Sequence, residues 1–405
     1  MTDDWRTLDI ANPTDEHSML REMVRGFVSE EVEPQALEFN RDEKFNTDLF
    51  RTLGESGLLG ISVPSEYGGG GMDATAVAII NEELSYSDPA FCLAYLAHDQ
   101  LMVNNLAQNG SHEQKSRILP KVCSGEWIGC MAMSEPDHGT DVMAMETNAI
   151  QRDDGNWVIN GQKIWTSTAQ YSQMMFCLVR TEPDAPKHSG ISYLLIPMDT
   201  PGIEIRPLVD MTLNAGFNEV FFTDVTIPES HIVGKRGEGW SVANATLSHE
   251  RGSLSDPNAM MNRLNSLIER MKEETINGQK TIDNPIYRDN LMKIQGKVIA
   301  FQSNSLRVLS AKLNKNQNVK IAGMIQKLVG TELRHELEGF ALDIMGELGT
   351  LYENSPNIRD GGSWQVAYMY FLGLIIGGGT SQIQKNIISE RGLGLPKEPK
   401  VQQGA

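Results

Sequence analysis

A change of period along the chain limits most strongly what it can fold into. Up to about residue 125 apolar residues recur at helical spacing. Leu20, Met23, Val24, Phe27 and Val28 fall at i, i+3, i+4, i+7 and i+8, one face of a helix that begins soon after Thr14 and is interrupted near Pro34. From about 127 to 233 short alternating runs take over: Asn156–Ile159, Met174–Val179, Ile191–Ile196 and Glu219–Phe222. Turn residues such as Asp153-Asp154-Gly155 and Pro201-Gly202 separate them, the pattern of an antiparallel β domain. After Gly237-Glu238-Gly239-Trp240 long helical patterns return and persist to about Arg391. The expectation is a mainly α fold with a central antiparallel β domain, in three parts: residues 1–126, 127–236 and 237–405.

Composition bounds the function classes. A chain of 405 residues, 40% hydrophobic and 22% charged, can bury a large core. Its apolar runs fall short of the roughly 18 residues a membrane span needs. Met1-Thr2-Asp3-Asp4-Trp5 is acidic where a signal peptide would be basic, so a cytoplasmic location is expected. Cys92, Cys123, Cys130 and Cys177 lack metal-ligand spacing and read as buried thiols; the eight histidines are scattered, and no metal is expected. A net charge of −18 repels nucleic acid and anionic membrane, and neither is expected as a partner. The run Gly68–Gly71 lacks the Lys-Ser/Thr ending and preceding strand of a phosphate loop, and Asp73 after it fits as the cap of a helix carrying Val77, Ile80 and Leu84.

Two segments point to chemistry. Met133-Ser134-Glu135-Pro136-Asp137-His138-Gly139-Thr140-Asp141 and Asn160-Gly161-Gln162-Lys163-Ile164-Trp165-Thr166-Ser167-Thr168 bring together small hydroxyls, bare amides and one large indole. An isoalloxazine ring needs such donors along its polar edge, and Trp165 supplies an apolar shelf. Each piece alone has an ordinary structural use: a loop opener, a hairpin turn, a core tryptophan. Together they resemble the flavin-contact segments of the acyl-CoA dehydrogenase family, and similarity extends from the N-terminal helices to residue 397. The resemblance implies noncovalent FAD contacted by Met131, Met133, Ser134, Gly139, Thr140, Trp165, Ser167, Thr380 and Gln382, with Thr140 at its pyrophosphate.

Dehydrogenation of an acyl thioester also requires a base. Many family members carry a Glu just before the Gly-Thr-Ser that opens the last helix; here Gly377-Gly378-Gly379-Thr380-Ser381-Gln382 puts Gly378 at that position. Glycine accepts no proton, but its backbone N–H can polarise the thioester carbonyl. The isovaleryl- and long-chain-type subset carries its Glu on an earlier helix, directly before an Arg, and the corresponding pair is Glu250-Arg251. Independently, Trp240, Ala243, Leu247, Glu250 and Leu254 share a helical face at spacings of 3, 4, 3 and 4, which sets a carboxylate in an apolar stripe. Desolvation there would make it a stronger base. The alternatives are an ion pair with Arg251, an exposed residue on a helix ended early by Pro257, or His249 as base.

The terminal stretch Gly377–Gln384 through Pro396 resembles the family's closing signature, a glycine-rich turn entering a helix. Two departures stand out. Gly278-Gln279-Lys280-Thr281-Ile282 replaces the Arg-x-Gln-Phe-Gly segment by which the family reaches FAD across a subunit interface, and Asp343-Ile344-Met345-Gly346-Glu347-Leu348-Gly349 replaces Gln-x-x-Gly-Gly. The resemblance implies oxidation of an acyl-CoA to the 2,3-enoyl-CoA, electrons passing to an electron-transfer flavoprotein, by a homodimer, homotetramer or heteromer. Alternatives are a reductase, oxidase or non-redox elimination on the same scaffold, or a catalytically silent subunit of a heteromer.

Overall fold

The structure is a computed structural model that describes residues 12–41, 44–244, 257–313, 320–352 and 355–397. Leu247, His249, Glu250, Arg251 and Leu254 lie outside the described residues. The chain packs as two compact units, residues 1–250 and 251–405.

Helix α1 (Asp15–Phe27) starts where Thr14 caps it, its hydroxyl accepting from His17 N–H. Leu20, Val24 and Val28 of the expected face are buried; Met23 is not. The expected interruption near Pro34 is a change of pitch rather than a break. A π-helical turn, Val28–Val32, leads straight into α2 (Glu33–Arg41), and Glu33 N–H donates back five residues to Val28 C=O. Proline offers no N–H, and widening the helix just ahead of it absorbs the missing bond. After α3 (Thr47–Glu55), the tetraglycine loop spends all four amides within its own neighbourhood, Gly68 on Ser65, Gly69 on Pro64, Gly70 on Gly60 and Gly71 on Val63. It has no donors left for a phosphate. Asp73 caps α4 (Ala74–Ser87) through the amides of Thr75 and Ala76, as its spacing predicts.

Helix α5 (Pro89–Leu96), a second π-helical stretch (Ala97–Val103) and α6 (Asn104–Asn109) run on continuously. That stretch aims adjacent buried polar side chains in different directions. Asp99 accepts from Gly60 N–H, and His98 accepts at Nδ1 from Gly129 N–H (3.0 Å) while Nε2–H donates to Val122 C=O (2.9 Å). Burial drives the His98 pKa down to about 4, so the ring is neutral with its proton on Nε2. It thereby pins the start of β1 (Gly129–Ala132) to the helices. A side chain at Gly129 would collide with Met102.

The sheet runs β6 (Ile203–Leu208), β7 (Phe217–Ile227), β3 (Trp157–Ser167), β2 (Asn148–Gln151), β4 (Met174–Arg180), β5 (Ile191–Pro197), β8 (Ile232–Val233), with β1 on β4. Pairing is antiparallel except for β1 with β4 and the single β2–β4 contact. Strands β4 and β5 read as continuous apolar runs because both faces are covered. Phe176, Leu178, Tyr193 and Leu195 join Met102, Leu106 and, on α7 (His112–Cys123), Ile118, whereas Cys177, Val179, Leu194 and Ile196 pack with Trp157, Ile159, Val220 and Phe222. Strands β1, β2 and β8 are too short to show alternation in the sequence, and β6 alternates only over Ile203–Arg206 before Pro207 interrupts it.

The second unit is helical: α8 (Pro257–Glu273), α9 (Pro285–Leu313), α10 (Lys320–Met345), α11 (Ser363–Ile376) and α12 (Ser381–Ile387), around Leu264, Leu267, Val298, Leu337, Ile344 and Trp364. Glu338, fully buried on α10, accepts from Arg263 at 2.9 and 3.0 Å and from Arg334 at 2.6 Å, and the Arg263 guanidinium lies 3.4 Å above the Trp364 ring. The stretch Asp360–Gly392 is apolar enough to resemble a membrane span, which the sequence reading did not anticipate. It is divided, however, and α11 has only 14 residues, short of the roughly 20 a spanning helix needs.

Candidate functional site

The two flavin-like segments are joined by a buried ion pair. Lys163, fully buried in β3, donates from Nζ to Glu135 Oε1 at 2.8 Å and to Met133 C=O at 3.0 Å. Glu135 also accepts from the amides of Glu146 (2.6 Å) and Thr147 (3.0 Å). Burial raises the Glu135 pKa, but Lys163 and these amides outweigh it and hold the carboxyl below its ordinary value. Ile164 N–H closes the junction on Ser134 C=O at 3.0 Å. Glu135 and Lys163 lie inside the two motifs, where sequence alone assigns them no role. The available signal was two opposite charges in segments that otherwise hold small polar and apolar residues.

Beyond Lys163 the β3–β7 ladder slips, and the bulge puts Trp165 at φ 63°. Positive φ is costly for a bulky residue and marks a position the surrounding structure enforces. It leaves the indole 52% exposed, edge-on to Phe217 at 5.7 Å. The residue expected as a shelf is thus held outside the core. Met131, Met133, Ser134 and Ser167 are half-buried, and Gly139 and Thr140 are exposed. A Cβ at Gly139 would meet nothing within 4 Å, so a ligand can approach the backbone there. An exposed indole, half-buried thioethers and nearby hydroxyls fit a planar aromatic cofactor with a polar edge.

In the second unit, Gly378 and Gly379 take φ of 66° and 97°, and Thr380 caps α12, its hydroxyl accepting from Ile383 N–H at 3.2 Å. Lys327, 1% exposed, donates to Ile375 C=O (2.9 Å) and Gly379 C=O (2.8 Å), and Gln384 Nε2–H donates to Gly378 C=O (2.9 Å). Among the described residues, the amides of Gly378, Gly379 and Thr380 donate to no protein acceptor. Lys327 and Gln384 were not singled out from the sequence; Lys327 shares its helix with Lys320 and several other charged residues, and its spacing alone does not mark it as buried. Gln382 is exposed.

The departures from the family pattern have definite structures. Thr275–Ile276 and Gln279–Lys280 form an antiparallel hairpin across Asn277-Gly278, both at positive φ (51° and 80°), a type I′ turn. Gly346 at φ 56° ends α10, and Gly349 is buried where a Cβ would strike Leu342 C=O. Among the described residues, no group of three or more His, Cys, Asp or Glu is gathered for a metal.

Comparison with known proteins agrees with this geometry. Residues 14–126, 130–225 and 237–393 match the N-terminal, middle and C-terminal domains of acyl-CoA dehydrogenase, respectively. The acyl-CoA dehydrogenase IpdE1 of Mycobacterium tuberculosis is 34% identical over 354 residues, 86% of this chain and 87% of that protein. Mitochondrial isovaleryl-CoA dehydrogenase of Pongo abelii is 33% identical over 243 residues, 59% of this chain and 57% of that protein. The solved ChsE4-ChsE5 complex from Mycobacterium tuberculosis superposes with a TM-score of 0.84 at 28% identity, covering 95% of this chain and 99% of that one. A Tcur3481-Tcur3483 steroid ACAD variant does so at 0.82 and 25% identity, covering 94% and 99%. The chain belongs to the acyl-CoA dehydrogenase family of FAD-dependent oxidoreductases that act on CH–CH groups.

Proposed function

We propose that this chain oxidises the CoA thioester of a bulky, steroid-type acyl group to the 2,3-enoyl-CoA in the cytoplasm, with Glu250 as base and an electron-transfer flavoprotein as acceptor. The observation that carries the assignment of the base is the turn Gly377–Thr380, which is held by Lys327 and Gln384 and offers backbone amides but no carboxylate. The proton acceptor therefore has to come from elsewhere in the chain, and Glu250-Arg251 matches the isovaleryl-type arrangement. Bound FAD supplies the acceptor for hydride leaving the β carbon. Glu250 takes the α proton, Arg251 flanks it, and Gly378 N–H polarises the thioester carbonyl so that the α proton becomes acidic enough to remove. Met131, Met133, Ser134, Gly139, Thr140, Trp165, Ser167, Thr380 and Gln382 hold the cofactor. One structural relative is a steroid ACAD variant, which supports the bulky acyl group.

A panel of CoA thioesters, from short straight chains to polycyclic acyl groups, assayed with an artificial electron acceptor tests substrate and reaction together. Glu250→Gln should retain FAD and lower turnover by roughly 10²- to 10⁴-fold. Near-normal turnover in that variant removes Glu250 from the base role.

One observation favours assembly with a second, different chain. The hairpin Thr275–Lys280 stands where the family's interface-crossing FAD segment would be, so that contact has to be supplied otherwise. The name of one structural relative denotes a complex of two proteins. Mass and flavin content of the chain purified alone test this: a flavin-replete homomer excludes the need for a partner.

A further inference from the structure

We propose that Lys327 is a positioning residue of the thioester-polarising turn, its buried ammonium orienting the Gly378–Thr380 peptides. This deepens the dehydrogenase reading and rests on it. A lysine ammonium is expensive to take out of water, and it persists in a core only where acceptors replace its hydration. On α10 it belongs to a polar stripe of Lys327, Thr331, Arg334 and Glu338, at spacings of 4, 3 and 4 on one face of the helix. Glu338 holds α10 to α8 through Arg263 and pairs with Arg334 one turn back on its own helix, and Thr331 Oγ1–H donates to Lys327 C=O at 2.9 Å. Lys327 is the member that reaches the turn.

Its bonds determine which way the turn faces. Nζ grips the last turn of α11 at Ile375 C=O and, across the glycines, Gly379 C=O, while Gln384 draws Gly378 C=O inward. In a trans peptide the N–H points opposite to the C=O. With the carbonyls of Gly378 and Gly379 held inward, the amides of Gly379 and Thr380 are directed away from the clamp; Gly378 N–H, on the preceding peptide, lies between the Ile375 and Gly379 carbonyls that Nζ grips and is placed through the same tie. The charge on Gly379 C=O also polarises that peptide and strengthens Thr380 N–H as a donor. Two successive glycines at positive φ would otherwise sample many conformations, so a turn of this composition depends on an external tie.

The test uses the full-length, flavin-loaded protein. Lys327→Met should lower kcat per bound flavin by roughly 10- to 100-fold with a much smaller change in KM, the scale of a misplaced electrostatic donor. It should also abolish the red shift that carbonyl polarisation gives a bound 2-enoyl-CoA. Thr331→Val, in the same stripe but not touching the turn, should lower stability and leave both readouts unchanged. If Lys327→Met does not fold, Gln384→Met removes the companion bond and is read in the same way. Unchanged kcat per flavin and an unchanged red shift, even in a less stable variant, overturn the proposal. Should the wild type bind no CoA thioester, the dehydrogenase reading fails by itself. Amide exchange across residues 376–382 then decides on Lys327: faster exchange in Lys327→Met supports the tie, and unchanged exchange overturns it.

Discussion

At the scale of single residues, two buried lysines, one in each unit, do different work. Lys163 joins two segments distant in sequence through a carboxylate, while Lys327 ties down a turn through carbonyls. Lys163→Met should be the more destabilising change, because it leaves Glu135 buried with its charge uncompensated, at a cost of about 3–5 kcal/mol. It should also reduce flavin content, since the Ser134–Ile164 junction loses its support. Denaturant titration with and without added FAD measures both, and full flavin occupancy in a stable variant would contradict the stapling role. Neither lysine could be given a role from sequence, because burial is what separates a lysine at an ion-pair node from one of the many on the surface.

At the scale of elements, the same glycine letter has opposite meanings. Gly69 sits where a Cβ would lie 2.3 Å from Val63 O, so Gly69→Ala should destabilise by about 1–3 kcal/mol through overpacking. Gly26, inside α1 with nothing within 4 Å of a Cβ, should gain roughly 0.5–1 kcal/mol on substitution by alanine, from helix propensity and lost unfolded-state entropy. Urea midpoints of the two variants should move in opposite directions. The period switch that marks helices and central strands was legible because long amphipathic or doubly covered elements impose many residues at once. The bulge at Trp165 and the π-helical turns were not, since a one-residue slip in register leaves the alternation around it intact.

At the scale of the whole molecule, the four cysteines are all buried and none is in a disulfide among the described residues. Burial pushes the thiols of Cys123 and Cys130 up to about 12 and that of Cys177 to about 11. None of these three presents a thiolate for a flavin link or a disulfide at neutral pH. A thiol reagent added to the native protein should therefore react with less than one equivalent of cysteine, rising to four on unfolding, with the yellow colour released into the supernatant at the same step. Flavin remaining with the precipitate would contradict noncovalent binding.

The sequence by itself determined the order of helical and β regions, the flavin-like composition of two segments and the absence of a carboxylate at Gly378. Each of these is carried by local spacing or by the identity of one residue. Tertiary structure decided what those segments do. Burial of Lys163 and Glu135 turned two motifs into one surface, the bulge turned Trp165 outward, and Lys327 with Gln384 spent the inward carbonyls of the glycine turn while its amides stayed unspent. These outcomes depend on which groups lose their water and which partner lies opposite, and folding alone brings residues 135 and 163, or 327 and 379, within hydrogen-bond reach.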